Sequence, residues 1–152
     1  MRVEVVATTI IIASSALLFA YWFRYTCMLI VSAKTSRDYA GDVAAANQLG
    51  FLEVQTQLRQ VATPDLGRLR ASLDRDYAVI TYLLDHAANP SKGATALENK
   101  MLAFNYRMMG AWFSISKHFS ESAASRALDE MADVVAHFAN AMGERATCGA
   151  AA

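Results

Sequence analysis

The chain opens with an apolar run that is long enough to cross a bilayer. The nineteen residues from Val5 to Phe23 carry no charge, and as an α-helix they span about 28 Å, close to the ~30 Å thickness of the hydrocarbon core. A secretory signal has a shorter apolar stretch with small residues at its cleavage site. Here the run ends in bulky Tyr21, Trp22 and Phe23. The pattern predicts an uncleaved transmembrane anchor.

The apolar character continues to Ala33, and one arginine indicates where the membrane ends. From Val5 to Ala33 a helix would measure about 43 Å, too long for the hydrocarbon core without a steep tilt. Aromatic rings favour the headgroup level, and a long cationic side chain reaches the phosphates. We therefore predict a membrane-interface cluster of Tyr21, Trp22, Arg24 and Tyr25. In the alternative, Arg24 pairs with a carboxylate of another subunit inside the membrane, at a cost of ~2.5–3.5 kcal/mol before pairing.

Small residues on one face of the anchor predict a helix–helix contact within the membrane. They follow a 4-3-4 spacing and are Thr9, Ala13, Ala16 and Ala20. Small side chains let two helix backbones approach closely, which is a main route to helix association in lipid. The alternative explanation is that alanine is simply common in membrane helices.

The basic residues near the ends of the anchor predict its orientation. Arg24, Lys34 and Arg37 follow the apolar run, whereas only Arg2 precedes it. Basic residues beside a span favour the cytoplasmic side. We therefore expect the N-terminus outside and the following domain in the cytoplasm. The positive charge of the α-amino group reduces the difference in charge between the two ends of the anchor.

Beyond residue 36 the apolar positions recur every three or four residues, and no strand-like alternation competes with this period. Four helices are predicted, over about residues 37–61, 64–87, 94–118 and 120–142. Short joints make consecutive helices antiparallel neighbours. The predicted fold class is all-α, with a transmembrane and juxtamembrane helix over 1–33, an up-down four-helix bundle over 34–146 and a flexible tail over 147–152.

The last two predicted helices carry core stripes of large apolar side chains. The stripe of the helix over 94–118 is Leu97, Met101, Phe104, Met108, Ala111 and Ile115. The stripe of the helix over 120–142 is Ala124, Leu128, Met131, Val135, Phe138 and Met142. Gly143 then follows as an expected stop signal.

Other apolar residues lie off these stripes and predict a surface for a partner. They comprise Leu49 and Leu52 and a second face of the helix over 94–118, namely Leu102, Tyr106, Met109 and Phe113. Within one bundle a helix contacts only its neighbours, so a helix that is apolar all round needs further cover. Cover could come from the juxtamembrane residues, a second copy of the chain or a different subunit.

Polar residues close to the core stripes are expected to be structural. They are Asn47, Asp76 and Arg107. A buried polar group needs a hydrogen-bonding partner, and Arg107, at the edge of its helix's stripe, is one candidate partner for Asp76 and Asn47. Asp129, Asp133 and His137 follow an i, i+4, i+8 spacing like that of metal ligands, but the helical wheel points both aspartates away from the core, so we expect them in solvent.

The charge of the chain and the motifs it lacks argue against several functions and indicate none. Beyond residue 31 there are 12 basic and 13 acidic residues, so no excess of positive charge favours nucleic acid. The two cysteines form no zinc-like or haem-attachment motif. No Glu-x-x-His pair, P-loop, dinucleotide fingerprint, nucleophile elbow or His-Glu-x-x-His is present. We expect no cofactor and no catalytic activity.

The resulting hypothesis is a non-catalytic, single-pass accessory subunit of a larger membrane complex, which packs through its anchor and its helical domain. Its expected partners are the bilayer and other membrane-protein subunits. A self-associating membrane-tethered scaffold would use the same surfaces against copies of itself. A helical sensor that binds a ligand or cofactor is the third alternative.

Overall fold

The computed structural model describes residues 1–33, 37–87 and 94–150, the last without the side chains of residues 94, 149 and 150. The described residues form helices and no strand, which confirms the all-α class. The helices are α1 (Arg2–Ser32), α2 (Ala40–Asn47), α3 (Phe51–Gln60), α4 (Leu66–Asp85), α5 (Ala94–Ser116) and α6 (Glu121–Ala150). The chain divides into two compact units, Met1–Ala33 and Lys34–Ala152.

The first unit is one unbroken helix, α1. Its threonines bond to their own backbone: the hydroxyl of Thr8 donates to the Glu4 carbonyl at 2.8 Å and that of Thr9 to the Val5 carbonyl at 2.7 Å. Such bonds satisfy polar groups that lipid cannot. Among the described residues, α1 is the one helix with the length and composition to cross a membrane.

The second unit contains one more helix than predicted, because the helix expected over 37–61 is broken. Gln48 ends α2 in the left-handed conformation, with φ 55° and ψ 44°. The Leu49 N–H donates to the Ala44 carbonyl at 2.9 Å, which closes the end of α2. Gly50 then begins α3, and its N–H donates to the carboxylate of Asp76 at 2.7 Å.

The Asp76 side chain explains why α3 can start at a glycine. Glycine has no side chain to cap the free N–H groups of a helix start. A buried carboxylate from α4 takes that role, and its negative charge also suits the positive end of the helix dipole. The break therefore depends on a residue twenty-six positions away. The periodicity of apolar residues within the segment contains no information about that residue.

The centre of the second unit is α6, which packs against α2, α3, α4 and α5. Its predicted core stripe is buried from Ala124 to Phe138, and only Met142 is half-buried. The prediction that Gly143 stops the helix is wrong, because α6 continues to Ala150. Residues 147–150 of the expected flexible tail are thus helical.

Gly143 has a packing role instead. The start of α2 lies against this part of α6: the Tyr39 N–H donates to the Asn140 side-chain oxygen at 2.7 Å, and a Cβ at position 143 would collide with the Cβ of Tyr39. A glycine inside a helix allows close approach of another element at a cost of about 1 kcal/mol relative to alanine.

Candidate functional site

The orientation of α5 is the main difference between the sequence prediction and the structure. The face expected to meet a partner is turned inward, where Leu102, Tyr106, Met109 and Phe113 are all buried. The prediction that these four residues form a surface patch is therefore wrong. We call them the inner face of α5.

The stripe that was expected in the core lies outside. Its large members Leu97, Phe104 and Ile115 are 61%, 59% and 56% exposed. Two other large apolar side chains are also exposed: Trp112, beside the stripe, at 44%, and Phe119, just beyond the helix end, at 64%. We call these five residues the outer face of α5. Met101 and Met108 of the same stripe are half-buried. A contiguous set of large apolar side chains on one helix is uncommon on the surface of a soluble monomer.

Polar contacts on the inner face select this orientation. The Tyr106 hydroxyl donates to the Asp74 carboxylate at 2.9 Å, and Arg70 donates to the same carboxylate at 2.7 Å. One residue earlier on α5, the Asn105 side-chain amide donates a hydrogen bond to the Glu130 carboxylate of α6 at 2.9 Å. The predicted stripe itself, from Leu97 to Ile115, has no tyrosine or amide that could anchor it in this way.

Arg70 also covers α5 directly. Its guanidinium lies 5.9 Å from the ring centroids of both Tyr106 and Phe113, and it occupies the space above Gly110. Burial, together with the hydrogen bond to Asp74, raises the pKa of Tyr106 far above its ordinary value, so its hydroxyl remains a donor. This network was not predicted from the sequence, although Arg70 and Asp74 lie at i, i+4 on α4, a spacing typical of an ion pair.

The polar residues predicted near the core have different partners from those expected. Asp76 is fully buried but pairs with the Gly50 N–H and, at 3.4 Å, with Arg75. Asn47 is half-buried, and its amide donates to the Val43 carbonyl of its own helix at 2.9 Å. Arg107 is exposed, so its assignment as a core residue and as the partner of Asp76 is wrong.

The acidic face of α6 is more enclosed than predicted. Asp133 is half-buried and accepts a hydrogen bond from the Gln55 amide at 2.8 Å. Burial and the neighbouring Asp129 charge raise the pKa of Asp133, whereas burial lowers the pKa of His137. Short α3 covers this side of α6, which explains why the helical wheel alone placed these residues in solvent. Within the described residues, no cluster of His, Cys, Asp and Glu could hold a metal ion.

The roles predicted for the remaining site residues stay predictions. Leu49 is half-buried and Leu52 is exposed on α3. On α1 every residue of the small-residue face is exposed, namely Thr9, Ala13, Ala16 and Ala20. Of the four predicted interface residues, Arg24 is half-buried and the others are exposed, namely Tyr21, Trp22 and Tyr25.

A cleft of about 460 Å³ opens between α4, α5 and α6. Its floor is apolar, with buried Leu84 and Phe138. One wall is Tyr77, which stacks on Tyr106 with ring centroids 3.9 Å apart and an interplanar angle of 7°. Its exposed rim carries Lys100 and Arg107 from α5 and Asp85 from α4.

The described part of the chain is thus an all-α protein with one candidate membrane-spanning helix and an apolar surface on α5. Comparison of the chain with protein-family models, with curated proteins and with solved structures gives no match.

Proposed function

We propose that this chain is a non-catalytic, single-pass accessory subunit of a larger membrane complex. In this proposal α1 is the anchor, with its N-terminus outside, and the second unit covers a cytoplasmic surface of the complex. The second unit acts as an up-down bundle in which α2 and α3 together replace one helix. The packing of α6 against α2, α3, α4 and α5 supports this arrangement.

The observation that carries the proposal is the outer face of α5. Its large apolar side chains remain exposed in the single chain, although the inner face of the same helix already supplies the core. Each large apolar side chain that leaves water on association contributes ~1.5–3 kcal/mol before the costs of association. A chain held in a bilayer by one helix is confined near other membrane proteins, so such a face is suited to a stable subunit contact.

The anchor contributes a second contact in this proposal. Its small-residue face, which includes Ala13 and Ala16, packs against a transmembrane helix of the complex. The aromatic residues around Arg24 hold the helix at the interface, so the guanidinium reaches lipid phosphates. The alternative, a scaffold of identical chains, uses the same outer face and differs in the identity of the neighbour.

The test is a double substitution on the outer face, Phe104→Glu with Ile115→Glu, in the full chain expressed in its native membrane. Two carboxylates in an apolar contact carry a desolvation cost of several kcal/mol each. We expect native mass spectrometry of a mild detergent extract to show a stoichiometric complex with a different chain for the unmodified protein, and the free subunit for the double variant. Circular dichroism should show unchanged helix content, because both positions are exposed.

Tyr82→Glu is the matched control. Tyr82 is an exposed aromatic residue (62%) on α4 and is not part of the outer face of α5, so this variant should stay in the complex. A ladder of identical chains in place of a mixed complex would favour the scaffold. Extraction of the unmodified protein as a solitary chain, with no neighbour under the mildest conditions, would refute both.

A further inference from the structure

The cleft between α4, α5 and α6 separates apolar and charged groups by depth. Buried Leu84 and Phe138 form its floor, and Phe138 lies 6.1 Å from Tyr77, ring centroid to ring centroid. The charged side chains stand at the rim, where they are exposed. A molecule that fills this cleft therefore contacts apolar side chains at its inner end and charged side chains at its outer end.

The charge at the rim is positive in balance. Lys100 and Arg107 face one carboxylate, that of Asp85. Within the described residues neither Lys100 nor Arg107 makes a hydrogen bond or an ion pair with another side chain. The two cations are seven residues apart on α5, which places them about two turns apart on the same side of the helix, so their long side chains can converge on one group.

The aromatic wall of the cleft is held in place by its neighbours. Tyr77 stacks on Tyr106, whose hydroxyl is bonded to Asp74 at 2.9 Å. The Thr81 hydroxyl donates to the Tyr77 carbonyl at 2.7 Å, so it is already engaged in α4. Burial raises the pKa of Tyr77, so its phenol stays a neutral hydrogen-bond donor at physiological pH.

We propose that this cleft binds a small organic anion that carries a carboxylate or a similar acidic group on an apolar, preferably aromatic, body. The body lies on Phe138 and Leu84 beside the Tyr77 ring, and the anionic group accepts hydrogen bonds from Arg107 and Lys100 at the rim. Charge-assisted bonds of this kind are among the stronger ones in proteins. The volume of the cleft is within the usual range for small-molecule sites, ~300–1,000 Å³. The site shares no residue with the outer face of α5 and does not depend on the proposed subunit role.

The test uses benzoate as the probe and the full chain in nanodiscs of zwitterionic phosphatidylcholine. The methyl groups of Leu84 and Ala103, which line the cleft, are followed by ¹³C-methyl NMR, with the methyl of Ala124 in α6 as an internal reference. We expect saturable shifts at Leu84 and Ala103 with benzoate. Neutral benzamide, which has the same shape, should bind about tenfold more weakly, because it lacks the charge-assisted bonds.

Variants distinguish benzoate binding that depends on the rim cations from nonspecific binding. Arg107→Gln and Lys100→Gln should each weaken benzoate binding about tenfold. Arg126→Gln, a change at an exposed arginine of α6 outside the cleft, should leave it unchanged. Both rim positions are exposed, so these variants should keep the methyl spectrum of the folded chain. Equal binding of benzoate and benzamide, shifts that do not saturate, or unchanged binding in both rim variants would overturn the proposal.

Discussion

The two longest helices of the second unit bury their apolar residues in different ways. α6 contacts four other helices, so its predicted stripe is buried from Ala124 to Phe138. α5 is also apolar on two faces but has fewer helices beside it, and one face stays exposed. Apolar periodicity identifies the faces of a helix, whereas the number of neighbours decides how many of them are covered.

The largest predicted effect distinguishes the two faces of α5 by stability. Leu102→Ala on the inner face should lower the free energy of unfolding by about 2–5 kcal/mol, because it leaves a cavity in the core. Phe104→Ala on the outer face removes a larger side chain but should change the same quantity by less than about 0.5 kcal/mol. Denaturant unfolding of the full chain in detergent, followed by circular dichroism, measures both.

The matched pair makes the outcome unambiguous. Leu102 is fully buried and Phe104 is exposed, two positions apart on one helix. If Phe104→Ala proved the more destabilising of the two, α5 would have the opposite orientation, and the outer face would be part of the core.

The sequence predicted the fold class, the long apolar helix at the N-terminus and the core stripe of α6. These follow from composition and period, which act within each segment. It failed where a contact between distant segments decides the outcome. The break before Gly50 is stabilised by the bond from its N–H to Asp76, and Gly143, expected as a stop signal, lies inside α6 and packs against Tyr39.

The sequence predicted an exposed apolar surface on α5, but it assigned that surface to the wrong residues. The excess of apolar residues on α5 was readable from the sequence, yet both of its faces repeat with the same period, so the period cannot tell which one is inside. The polar partners of the inner face decide this: Tyr106 and Asn105 reach Asp74 and Glu130, on two other helices. The cleft was not predicted at all, because it is a space between three helices and has no pattern within one segment.

A second pair of variants compares α6 and α5 through their glycines. Gly143→Ala places a methyl group against the Cβ of Tyr39, which cannot move without the backbone of α2. We expect a loss of about 1–3 kcal/mol in the free energy of unfolding from overpacking, reduced by up to ~1 kcal/mol from the better helix propensity of alanine. Thermal and denaturant unfolding of the full chain give the value.

Gly110→Ala is the counterpart on α5. The atoms nearest to the added methyl group belong to the guanidinium of Arg70, the far end of a flexible side chain that can turn aside. The loss should therefore be smaller than for Gly143→Ala. A greater loss at Gly110 than at Gly143 would mean that the Arg70 contact is more rigid than the packing of α2 on α6.

The smallest predicted effect concerns the titration of His137, on the enclosed helix. Burial lowers the pKa of His137 below the 6.5 of an unperturbed histidine, although the Glu98 and Glu144 charges oppose this. As the pH falls through 6.5, the unfolded chain takes up a proton more readily than the folded one, so the free energy of unfolding decreases. His137→Gln should remove this part of the decrease below about pH 6.5. Asp133, whose raised pKa favours the folded state at low pH, acts in the opposite direction. His118→Gln, at an exposed histidine beyond the end of α5, is the control for the loss of one histidine. Unfolding midpoints measured across this range decide the matter: if His137→Gln leaves the decrease in stability as large as in the unmodified chain, the imidazole of His137 is not desolvated on α6, and the contrast between the two helices fails.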